Sequence, residues 1–172
     1  GPVETPVLFA KQMTHHITGE IDLRAFAGMD HFFLIRDPVL MAASFSDRMG
    51  GRVTADALGV AQEAEIYDLL AALTGTEPPI VDAADILAAP REMLGALCTA
   101  LELDFDESML AWPAGRRPED GVWAAHWYEA VEASTGFRDP VHRVPELTAA
   151  EAAAAASCLP WYQRLYERRL TA

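Results

Sequence analysis

The stretch His31-Phe32-Phe33-Leu34-Ile35-Arg36-Asp37-Pro38 constrains this chain more than any other. Its apolar residues follow one another without the alternation of a strand that keeps one face wet, the pattern of a parallel sheet covered on both sides. It then passes at once into a helix start. Aspartate accepts from the unpaired amides of a first turn, and proline fits the first helical position. A buried strand running directly into a helix is the unit of an α/β fold. Residues 7–10, Val-Leu-Phe-Ala, form a second continuous apolar run and are expected to lie beside the first as a buried parallel strand. Residues 79–81, Pro-Ile-Val, read as a third and weaker strand.

Helices are expected over most of the rest. One opens at Pro38 and ends near Met49, before Gly50-Gly51. A second covers roughly residues 56–73, with Ile66, Leu69, Leu70 and Leu73 on one stripe. A third starts near Pro90 and carries Leu94, Leu97, Cys98 and Leu101 on one face. Thr148 and Glu151 form a capping box ahead of an alanine-rich helix. Pro160 should kink or divide that helix, and Trp161, Leu165 and Tyr166 should continue it to the terminus. Residues 103–121 make a long connection holding Pro113, Gly115 and Pro118, and long loops in compact domains tend to be functional or mobile. The order predicts one α/β domain over residues 1–172, its parallel sheet flanked by helices.

The chain carries 26 acidic against 13 basic residues, a net charge of −13. That argues against a nucleic-acid-binding surface and makes any gathering of bases informative. No apolar run approaches the ~20 residues that cross a bilayer, and the start shows no signal-peptide pattern. Two cysteines, Cys98 and Cys158, exclude a disulfide scaffold and a cysteine-built zinc site. A cytoplasmic protein is expected. The opening Gly1-Pro2, without methionine, suggests a segment upstream.

Three places gather chemistry. Arg36 follows a strand, where ligands of α/β sheets bind, and Ser44 lies on the helix about 9 Å beyond Pro38. A guanidinium and a hydroxyl there suit one phosphate, although Arg36 can equally pair with a structural carboxylate. Lys11 with His15 and His16 follows the first expected strand. A lysine neutralises an anionic donor, and a histidine with a pKa near ~6.5 can take a proton from a hydroxyl; a solvated pair of histidines is the plain alternative. The third place is Arg116-Arg117, then Gly121 and Trp123, with His126, Trp127 and Tyr128 close behind. Arginines hold phosphate, glycine admits backbone amides, and a ring stacks on a base, unless these aromatics form a helix core.

Taken together these segments resemble the cytosolic-type sulfotransferases. In that family a strand ends in Arg, with a Ser eight residues later, as in Arg36 and Ser44. A late Arg-Lys-Gly loop reaches Gly-Asp-Trp, as Arg116-Arg117 reaches Gly121-Val122-Trp123 over the same seven-residue step. Residues 84–90, Ala-Asp-Ile-Leu-Ala-Ala-Pro, are similar to the family's Glu-Asp-Leu stretch, and Lys11 to His16 sits where the family has Lys-x-His. Pro118 and Val122 depart from the pattern. The resemblance implies a P-loop nucleotide-hydrolase-like fold and 3′-phosphoadenosine 5′-phosphosulfate (PAPS) as sulfuryl donor. It implies a small-molecule hydroxyl or amine as acceptor, with no metal, nucleic acid or membrane involved. Arg36, Ser44, Arg116, Arg117, Gly121 and Trp123 would bind the donor. Lys11 and His15 or His16 would act in catalysis, with His16 slightly favoured. The family's first strand and phosphate loop do not appear, so either they lie upstream or the chain is a degenerate relative. A small-molecule kinase using Asp82 and Asp85 for Mg²⁺, or a non-catalytic nucleotide- or partner-binding domain, is the rival.

Overall fold

A computed structural model describes residues 7–49, 53–117, 121, 128–138 and 145–172, with the backbone alone for 47–49. A 3-10 turn at Thr14–His16 and another at Leu23–Phe26 come first. Strand β1 (Phe33–Ile35) leads into helices α1 (Pro38–Met49), α2 (Ala55–Leu58) and α3 (Val60–Thr74). Strand β2 (Ile80–Asp82), α4 (Ala83–Ala88) and α5 (Pro90–Ala100) follow. Beyond the 3-10 turn Glu107–Leu110 lie α6 (Glu129–Glu132) and α7 (Ala149–Tyr166). These elements make two compact units. The first holds residues 1–30, 37–78 and 145–164, the second residues 31–36, 79–144 and 165–172.

The first unit is helical. Asp37 Oδ1 accepts from the Val39 amide at 2.7 Å, so the expected cap opens α1. The capping box before α7 also forms. Thr148 N donates to Glu151 Oε2 at 2.8 Å, and Glu151 N donates to Thr148 Oγ1 at 3.3 Å. Ala42, Val53, Leu58, Val60, Ala154, Ala155 and Cys158 pack into one core, with Phe45 and Tyr162 against it.

The second unit carries the sheet. β1 and β2 pair in parallel, with Phe33 opposite Ile80, Leu34 opposite Val81 and Ile35 opposite Asp82. Val81, Met93 and Leu97 form its core, with Phe32, Ile86, Leu101 and Leu170 packed around them. The chain's last residues close on the sheet: Leu170 N donates to the Ile80 carbonyl at 2.8 Å, and Arg169 Nε pairs with Asp85 at 2.6 Å. The architecture is α/β, a small parallel sheet flanked by helices.

Two expectations are corrected, and one of the two alternatives at Pro160 is decided. Residues 7–10 are not a strand: Val7, Leu8 and Phe9 are 52, 69 and 68% exposed. An apolar run has the composition of a strand, but a strand exists only where a ladder partner completes it, and β1's partner is the run read as weaker, around residues 79–81. The helix expected over residues 56–73 is two helices, because Gly59 adopts φ +70° and caps α2 before α3 begins. Pro160 does not divide α7, which continues through it to Tyr166. Among the described residues no helix is long and apolar enough to cross a membrane.

Candidate functional site

In the first unit the expected catalytic residues sit on one short turn. His16 N donates to Met13 O and Ile17 N to Thr14 O, both at 2.9 Å, closing Thr14–His16 as a 3-10 turn. The turn is held against the joint of α2 and α3. Thr14 Oγ1 donates to the Gly59 carbonyl at 3.3 Å, and Gln62 Nε2 donates to the Ile17 carbonyl at 2.6 Å. His15 and His16 are both exposed, and their rings meet edge to face with centroids 4.4 Å apart at 79°. Partial burial, and then the charge of His16 beside it, hold the His15 imidazole below the usual histidine range. Both causes disfavour the imidazolium and favour the neutral ring. Lys11 lies exposed on the irregular segment leading into the turn.

Ser44 is half-buried on α1 of the same unit. Two residues on, Ser46 Oγ donates to Glu151 Oε1, which ties α1 to the head of α7. That bond, with the one from Thr148, holds the buried Glu151 carboxyl below its ordinary range.

The second unit holds the arginines. Arg36 is exposed immediately after β1, and Arg116 and Arg117 are exposed beyond Gly115, whose φ of +112° suits only glycine. Arg117 lines a cleft of about 290 Å³ together with Trp112, Pro113, Gly115, Tyr128 and Glu132. The cleft is built by backbone bonds. Trp112 N donates to Thr135 O at 3.1 Å and Gly115 N to Glu132 O at 2.7 Å. Trp112 is further fixed by its indole, which donates to Ser134 Oγ at 2.9 Å and meets the Phe137 ring edge to face. Gly121 is exposed; Trp123, His126 and Trp127 lie outside the described residues.

The structure thus brings His15 against His16, and sets Arg117 in one cleft with Trp112 and Tyr128. Lys11, the histidines and Ser44 belong to the first unit, and Arg36, Arg116, Arg117 and Gly121 to the second. The rival metal ligands are already engaged. Asp82 Oδ1 caps α4 by accepting from Ala84 N at 2.7 Å, and Asp85 pairs with Arg169. No metal-ligating cluster occurs among the described residues. The sequence reading missed Trp112, Gly59 and Gln62. Gly59 carried a signal, a glycine within a helical pattern; Gln62 carried none.

The sulfotransferase domain pattern matches residues 4–169, and the chain belongs to that family. It is similar to two proteins of Arabidopsis thaliana. It is 36% identical over 140 residues to branched-chain-amino-acid aminotransferase-like protein 2, covering 81% of this chain and 24% of that protein. It is 42% identical over 110 residues to branched-chain-amino-acid aminotransferase-like protein 1, covering 64% of this chain and 19% of that one. The chain therefore spans a quarter or less of the length of these relatives. No solved structure matches.

Proposed function

We propose that the chain is a PAPS-dependent sulfotransferase domain of P-loop-like fold, acting on a hydroxyl or amine of a small molecule. The two compact units would belong to one such domain. The observation that carries the proposal is the cleft lined by Arg117, Gly115, Trp112 and Tyr128, because it offers a guanidinium for a phosphate and rings on which a base can stack. At about 290 Å³ it suits one end of a nucleotide rather than the whole.

The donor supplies the sulfuryl group. Arg117 or Arg116, with Arg36 and Ser44, anchors the donor's 3′-phosphate, and Gly121 and Trp123 join in binding the donor. Lys11 neutralises charge that develops at the transferred group. His15 or His16 takes the proton from the acceptor hydroxyl or amine as its oxygen or nitrogen bonds to sulfur. Adenosine 3′,5′-bisphosphate leaves with the electron pair of the broken sulfur–oxygen bond. No covalent enzyme intermediate is needed.

Calorimetry with adenosine 3′,5′-bisphosphate tests this. Binding is expected, and Arg36→Ala or Arg117→Ala should weaken it by about 1.5–3 kcal/mol, the worth of a hydrogen bond to a charged group. Equal affinity for adenosine 5′-monophosphate would remove the 3′-phosphate site.

A further inference from the structure

The turn that carries His15 and His16 has few means of holding itself in place. It is a single 3-10 turn of three residues, none of them buried. A turn this short with its side chains in solvent is not rigid on its own account. Among the described residues, two side-chain hydrogen bonds tie it to one place 45 residues along the chain, the start of α3.

The first contact is at Gly59. Its left-handed conformation ends α2, and its carbonyl begins α3 by accepting from Glu63 N at 2.8 Å. The same carbonyl also accepts from Thr14 Oγ1. Glycine is required there twice over. A Cβ would sit 2.7 Å from Thr14 Oγ1, and φ +70° disfavours any other residue. The second contact is the Gln62 side-chain amide, which donates to the carbonyl of Ile17, the residue after His16. One bond holds each end of the turn, before the first histidine and after the second.

We infer that Gln62 and Gly59 are positioning residues, which fix the direction of the His15–His16 pair from the α2–α3 joint without touching substrate. Thr14 is the hydroxyl through which Gly59 acts. The inference rests on the reading of this pair as the site of the general base, and its test separates the two.

Gln62→Met keeps the length and helix preference of the side chain and removes the donor. In the NMR spectrum of the variant, the cross-peaks between the His15 and His16 rings should weaken and both ring resonances should move, with the far-ultraviolet circular dichroism unchanged. Gly59→Ala should displace the same turn from its other end. In a transfer assay on the full protein with PAPS, Gln62→Met should lower kcat at least tenfold with the KM for the donor unchanged. The unchanged circular dichroism keeps a loss of folded protein from accounting for that fall. Wild-type ring signals in Gln62→Met overturn the positioning role whatever the rate. Displaced rings with wild-type kcat leave the hold on the turn intact and overturn the histidine as base.

Discussion

His15 is the residue whose environment says most about its chemistry. Its depressed proton affinity has two causes, and burial is the larger. Removing the smaller one separates them. His16→Ala should raise the His15 pKa only part of the way to the ordinary histidine value, read by an NMR titration of the ring protons. A full return would place the whole effect on His16 and none on burial. In the transfer reaction the acid limb of the pH–rate profile should lie below ~6.5 if His15 is the base. Glu63, on the first turn of α3, is a second titrating group, and burial pushes its carboxyl up to about 7. Such a carboxyl keeps its proton in the folded chain while the unfolded chain releases it near 4.5. Stability is therefore full below that value and declines as the pH rises to about 7, by at most ~3 kcal/mol. Glu63→Gln should abolish the decline, so that denaturant midpoints at pH 5 and pH 8 converge. An unchanged gap between them would show that another group is responsible.

Helices were legible in the sequence wherever a cap or a proline marked their start. Asp37-Pro38, Pro90 and Thr148 each name a chemical reason to begin, and α1, α5 and α7 begin there. Strands were harder. Residues 7–10 and 79–81 are both short and apolar, and only a long-range pairing, which no local pattern encodes, decides which becomes β1's neighbour. The apolar stripe could not show the break at Gly59, because Ile66, Leu69, Leu70 and Leu73 all lie beyond it in α3. In the candidate site, the charged groups were visible as residue types, but Trp112 joined Arg117 only through bonds to residues some twenty positions later. Pro160 shows local chemistry yielding to its surroundings. Inside α7 it supplies no amide and crowds the carbonyl one turn back, yet the helix persists because Ala154, Ala155, Cys158 and Leu165 are buried along it. Pro160→Ala should raise stability by about 1–2 kcal/mol, seen as a higher thermal midpoint. A fall would mean that the helix needs the bend a proline imposes.

Across the whole molecule, each of the two units has its own buried cluster, and a core defect should be felt first where it is made. Leu97→Ala empties part of the cluster with Val81 and Met93 and should cost about 2–4 kcal/mol in denaturant unfolding. Hydrogen exchange should then quicken most at β2 and α5, with α1 and α3 less affected. Equal acceleration throughout would mean that the chain opens as one cooperative body.

The bond from Leu170 to Ile80 turns the last residues into a fuse for the sheet. Leu170 and Arg169 bring to it the amide on Ile80, the apolar contact beside Val81 and the partner of Asp85. Leu170→Pro takes away that amide, and hydrogen exchange should then quicken at β2 before anywhere else in the second unit. Exchange at β2 no faster than in the wild type would mean that the sheet holds without the bond.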